Sequence, residues 1–157
     1  MRRVFVLFIV ITLLFSACPS AYAKNTSAKA ISETIQAAIP AEFGYVDNTE
    51  YAVRHELSNL TCVDDCYVVV CAESTNFNEF GVFHVDNESN VKRCAKQLTE
   101  YIARRKIQFQ NGVIYDINEY PKFENAKVTA IDCYVIYTIL DIPQRTAALE
   151  SIKSLLQ

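Results

Sequence analysis

The chain has 157 residues, of which 51% are hydrophobic and 21% charged, with only 3 Gly and 4 Pro. Those proportions exclude collagen-like, low-complexity and disordered classes and suit one globular domain with a substantial core. The formal charge of −3 conceals a partition: Arg2 and Arg3 sit in a leader without acids, leaving 13 basic against 18 acidic residues in the rest. A nucleic-acid partner is not expected, because phosphate binding needs a cationic surface.

Met1-Arg2-Arg3 opens the chain with positive charge, Val4 to Phe15 is apolar apart from Thr12, and small residues follow at Ser16, Ala17, Ser20, Ala21 and Ala23. This is the three-part layout of a secretory signal peptide. As a helix, the apolar stretch would rise about 18 Å, short of the roughly 30 Å of hydrocarbon that a permanent span must cross. Two processing sites compete. Ala21-Tyr22-Ala23 offers small residues where a signal peptidase needs them and predicts residues 1–23 as a removable leader. Phe15-Ser16-Ala17-Cys18 resembles a lipobox, with Phe in place of the usual Leu and Pro19 after the cysteine, and makes Cys18 a candidate for lipidation. Two acyl chains there would attach the protein firmly to a membrane. Either route predicts an exported protein, secreted or held at the outer face of the cytoplasmic membrane, with membrane contact only through such an anchor.

Residues 24–27 form a short polar tether, and 28–157 a single domain. Ala28, Ile31, Ile35, Ala38 and Ile39 recur at helical spacing and predict a helix over about 27–39, ended by Pro40. Phe43 to Leu60 is mixed in pattern and fits an edge strand, a short helix or an ordered loop. Cys66 to Glu73, rich in β-branched and aromatic residues, predicts a buried strand, and Phe80 to Val85 a second, joined by the turn-rich Ser74 to Glu79 as an antiparallel hairpin. Val91, Cys94, Ala95, Leu98, Tyr101 and Ile102 share one face of a helix over about 88–109, stopped by Asn111-Gly112. Tyr115 to Ala126 reads as a short helix and turn. Lys127 to Ile131 and Cys133 to Leu140 then give a second strand pair, with a tight connection at Asp132. Asp141-Ile142-Pro143 starts a closing helix over about 143–156. The sum is an α+β domain: an antiparallel sheet of four strands, with room for a fifth, built from two hairpins with the helices on one face.

Removing the leader, or lipidating Cys18, leaves five cysteines, an odd number that cannot all pair within one chain. Cys62 and Cys66 are the local pair whose spacing suits a disulfide, with Asp64-Asp65 supplying a reversal between them. Cys62, Cys66 and His84, with Cys71 as a fourth, form a conceivable metal set, but the second tight cysteine pair of a zinc ribbon is absent, and no metal is expected. No Gly-x-Ser-x-Gly, His-Glu-x-x-His or Gly-rich phosphate loop occurs, so no catalytic residue and no cofactor are predicted. Asp86, Glu88 and Asp141 sit at helix starts, where capping accounts for them. Tyr67, Tyr115, Tyr120, Tyr134 and Tyr137 lie in or beside the hairpins, where an exposed row would make a binding face and a half-buried row would be ordinary core. Lys92, Arg93, Lys96 and the run Arg104-Arg105-Lys106 read as a solvated helix face.

The segments Ile31-Ser32-Glu33-Thr34-Ile35, Tyr67 to Glu73, Asn90 to Arg105, Tyr120-Pro121-Lys122-Phe123-Glu124-Asn125-Ala126-Lys127-Val128 and Cys133-Tyr134-Val135-Ile136-Tyr137 resemble a family of small exported proteins and lipoproteins of Clostridia-like Gram-positive bacteria, domain of unknown function 4358, over roughly residues 28–156. Its shared patterns are hydrophobic rather than catalytic. The resemblance implies a location and a bacterial source, and no reaction. Together these readings predict a non-enzymatic exported or envelope domain that binds an envelope protein, a wall polymer or a small ligand through its sheet face or end loops. The alternative is a small hydrolase using His84 and a strand cysteine such as Cys71.

Overall fold

A computed structural model describes residues 26–112 and 116–156. The leader, the lipidation candidate Cys18 and Tyr115 lie outside them. Helix α1 (Ala28–Ala38) begins where Ser27 Oγ accepts the Ala30 N–H, a side-chain cap for one of the unpaired amides of the first turn. Of the tether, Thr26 and Ser27 are described, and both are tied to the domain, since the Thr26 carbonyl also accepts the Tyr134 hydroxyl at 2.7 Å. The mixed segment resolves into strand β1 (Tyr45–Asp47), a single helical turn α2 (Thr49–Tyr51) and a π-helical turn over Ala52–Glu56. Then follow β2 (Asp65–Cys71), β3 (Glu79–His84), α3 (Glu88–Asn111), α4 (Tyr120–Glu124), β4 (Lys127–Ile131), β5 (Tyr134–Ile139) and α5 (Ile142–Leu156).

The five strands form one antiparallel sheet in the order β1-β2-β3-β5-β4. Both hairpins expected from the sequence are present, and β1 is the fifth strand at the edge. Ile131 pairs with Tyr134, so Asp132 and Cys133 alone make the β4–β5 turn, and Asp132 adopts φ +50°, a left-handed conformation that Asp tolerates better than most side chains. Asp64 and Asp65 do not reverse the chain as expected. Instead, the Asp64 N–H donates to the His84 carbonyl and Asp65 pairs with His84, so this segment runs into the β2–β3 ladder.

The helices cover both faces of the sheet, which corrects the expectation of cover on one. Strand β3 shows why, because its two faces are equally apolar. Phe80 and Val82 pack with Ile31 and Ile35 of α1, with Ala148 and Ile152 of α5, and with Val69, Tyr134 and Ile136. Phe83 and Val85 point the other way, into Cys94, Leu98 and Tyr101 of α3 together with Val68, Val135, Tyr137 and Phe123. All six residues of β5 are buried. A strand with neither face in water requires a helical layer on each side.

Candidate functional site

Four residues from three elements meet on the α3 face of the sheet at the start of β3. Glu79, only 2% exposed, is the first residue of that strand. Its Oε1 accepts the Tyr101 hydroxyl at 2.5 Å and the Tyr137 hydroxyl at 2.7 Å, and its Oε2 accepts Arg105 Nε at 3.2 Å and Nη2 at 2.8 Å. Every lone pair of the carboxylate that faces the protein is therefore used, which is what permits a charged group in this position. Burial first, and then the Glu79 charge, push both phenols above their ordinary range. Burial opposes the charge on Arg105, but the Glu79 carboxylate outweighs it and raises the guanidinium above its usual value.

Glycine 81 makes the arrangement possible. A Cβ there would stand 2.5 Å from Tyr137 Cε1 and 2.8 Å from Phe83 Cε2, so the missing side chain is the space that the Tyr137 ring occupies on its way to Glu79. Residues 79, 81, 83 and 85 share this face by the two-residue period of a strand. On α3, Cys94, Leu98, Tyr101, Arg105 and Phe109 follow one another at three- and four-residue steps, which places Arg105 on the buried stripe rather than on the solvated face.

The outer side of Arg105 borders a groove of about 370 Å³ lined by Ser74, Phe77, Gln108, Phe109, Gly112 and Phe123, and a second, smaller cleft shares Ser74, Phe77 and Arg105 with it. Arg105 Nη1 donates to Gln108 Oε1 at 3.3 Å, so the guanidinium is held from two sides. The opposite wall is fixed as firmly. Glu119 Oε2 accepts the Phe77 N–H at 2.8 Å and Lys122 Nζ at 2.6 Å, and Lys122 also donates to Asn76 Oδ1 at 3.0 Å. Phe77, Phe109 and Phe123 touch one another, with ring centroids 4.5 to 6.1 Å apart. The result is a rigid arginine at the foot of an aromatic wall, a combination suited to a small anion that carries an apolar group.

The residues singled out from the sequence are placed elsewhere. His84 sits at the far end of β3, with its Nδ1 3.6 Å from Asp64 Oδ2 and its ring against Tyr134. Cys71 lies six residues along the ladder from the His84 partner Asp65, roughly 20 Å away at strand spacing, and Cys66 faces the opposite helical layer from His84. The structure thus assembles no dyad from His84 and either cysteine. Among the described residues, all five cysteines are free, and no three His, Cys, Asp or Glu side chains converge as metal ligands. The tyrosine row is no exposed face, because Tyr134 and Tyr137 are core residues. In the basic run, Arg104 donates to the Glu56 carbonyl and Lys106 faces Glu124, while Arg105 turns inward. Glu79 is hidden in the sequence by the polar linker it ends; the signal that points to the cluster is the continuation of the α3 stripe onto Arg105.

An antiparallel five-stranded sheet between two helical layers, with a buried Glu-Arg-Tyr cluster at one end, defines a small α+β domain. The chain belongs to the family described as domain of unknown function DUF4358, which matches residues 59–140. That span runs from just before β2 to just past β5 and contains Glu79, Gly81, Tyr101, Arg105 and Tyr137. It is shorter than the 28–156 expected from the resemblance and leaves out α1 and α5. No curated protein and no solved structure matches the chain.

Proposed function

We propose that this is an exported, non-enzymatic binding domain whose ligand is a small carboxylate with an apolar or aromatic substituent, seated in the Arg105 groove. The observation that carries this reading is the locked guanidinium beneath the Phe77, Phe109 and Phe123 wall. With Nε and one Nη2 hydrogen given to Glu79 and one Nη1 hydrogen to Gln108, the fork retains donors on its outer side for a carboxylate. A preorganised arginine loses little entropy on binding, which favours recognition of a fragment-sized ligand.

Phenylacetate is the simplest molecule with both features. Titrating it into the isotope-labelled protein is expected to shift the Phe77, Arg105 and Gln108 amide signals saturably, with a dissociation constant on the order of 1 mM, about −4 kcal/mol. Phenethylamine, which has the same ring and the opposite charge, should leave those signals in place. Equal responses to both would refute selection by the arginine. Export is tested separately by the intact mass of the released product, which should show a start at Lys24 or a diacylglycerol on Cys18.

A further inference from the structure

On the same face of the sheet, about half the length of α3 from the groove, three of the five described cysteines approach one another. Cys94 is fully buried on α3, Cys62 is 7% exposed in the segment leading to β2, and Cys66 lines the same cluster from β2. The segment carrying Cys62 is stitched along α3 by side chains. Arg93 Nη2 donates to Thr61 Oγ1 at 3.0 Å, Gln97 Nε2 donates to the Asn59 carbonyl at 2.9 Å, and the Cys62 thiol points to Gln97 Oε1 at 3.8 Å. Arg93 and Gln97 flank Cys94 in sequence, so Thr61 and Cys62 are held over the turn of α3 that bears it.

We propose that Cys62 and Cys94 form a disulfide when the folded chain meets an oxidising disulfide, stapling the segment after the π-helical turn onto α3. In this step the Cys62 thiolate attacks one sulfur of a low-molecular-weight disulfide, forming a mixed disulfide and releasing one thiolate, which takes up a proton. Cys94 then loses its proton to water and attacks Cys62 Sγ, so that the new S–S bond forms and the second thiolate leaves. Two protein thiols are oxidised and one external disulfide is reduced to two thiols. Cys62 is the first nucleophile because it alone of the pair reaches solvent. Burial, followed by the neighbouring Cys62 and Cys66, pushes the Cys94 thiol up to about 12, which suits it to the slower second step. This pairing differs from the local Cys62–Cys66 bridge suggested by spacing. Asp65 and Cys66 are fixed in the β2 ladder opposite His84 and Phe83, whereas the segment of Cys62 is tied by Arg93 and Gln97 to the turn of α3 that bears Cys94.

An oxidising compartment would supply the disulfide in life, and to that extent the idea rests on export; the test does not. The purified full chain, folded in dithiothreitol and transferred to glutathione disulfide, is digested with trypsin and an Asp-specific protease and mapped by mass spectrometry. Trypsin isolates Cys94-Ala95-Lys96, and cleavage at Asp64 or Asp65 separates Cys62 from Cys66. The expected product links the Cys62 fragment to Cys94-Ala95-Lys96, forms equally in Cys66→Ser, is absent in Cys62→Ser and Cys94→Ala, and raises the melting temperature by roughly 10 °C over the reduced protein. A bridge mapped to Cys62 and Cys66, or no bridge in a chain whose circular dichroism is native, would overturn the proposal. Either result leaves the export reading to its own mass measurement.

Discussion

Glu79 is the residue whose removal should be felt most. In Glu79→Gln the amide oxygen still accepts the two phenols, but the guanidinium of Arg105, whose side chain is only 29% exposed, loses its counter-charge. Leaving one member of such a pair alone is expected to destabilise by about 3 kcal/mol in a urea titration, whereas Tyr137→Phe, which leaves Tyr101 on the same oxygen, should lose only about 1–2 kcal/mol. Gly81→Ala forces a methyl group into the Tyr137 ring, and overpacking of that kind predicts a loss of about 1–3 kcal/mol with displaced Tyr137 resonances. The buried phenols also fix the alkaline limit. Burial raises Tyr45, Tyr101, Tyr134 and Tyr137 above 10 and Cys66 and Cys94 above 9 in the folded chain, so the unfolded chain releases protons first. Their contribution is complete below about pH 9 and falls as pH rises beyond it, by up to about 1.4 kcal/mol per pH unit for each group. Chemical denaturation at pH 8, 9.5 and 10.5 measures that decline. The cluster was half legible in the sequence. Its spacing puts Tyr101 on the core face of the helix, but Arg105, one turn further on that stripe, reads with Arg104 and Lys106 as a solvated end because three cations stand together.

At the level of elements, periodicity located the three long helices and both hairpins to within about two residues, since each has a clear apolar period and a capping or breaking residue at its ends. Layering was harder to foresee. A run such as Phe80-Gly81-Val82-Phe83 announces burial on both sides, yet an all-antiparallel sheet more often has one wet face, which is why hairpin order alone predicts cover on one side. Strand β1 has only three residues and takes its identity from pairing with β2, which no local pattern could reveal. Two-sided cover predicts that the α1–α5 layer is as necessary as α3. Ile35→Ala and Ile152→Ala, each at a fully buried position between the two helices and the sheet, should destabilise by about 2–5 kcal/mol, close to the loss from Leu98→Ala on the other side. Thermal melts of the three variants compare the two layers directly.

For the whole molecule, cover on both sides buries the faces of the sheet and leaves the ends of the strands at the surface. At one end, the β2–β3 loop, α4 and the last turns of α3 are locked by Glu119, Lys122 and Arg105 into a groove. At the other, His84 meets Asp64 and the ring of Tyr134. A binding domain is the reading that uses what the first end provides. Among the described residues, no helix is long and apolar enough to cross a membrane, so these parts of the chain contain no helical span of their own. The most direct test is calorimetric titration of phenylacetate into the wild-type protein and into Ser74→Trp, which fills the groove from an exposed loop position. Millimolar binding that weakens at least tenfold in the variant, at an unchanged melting temperature, is the predicted result; no binding, or equal binding by both, would contradict the assignment of the groove.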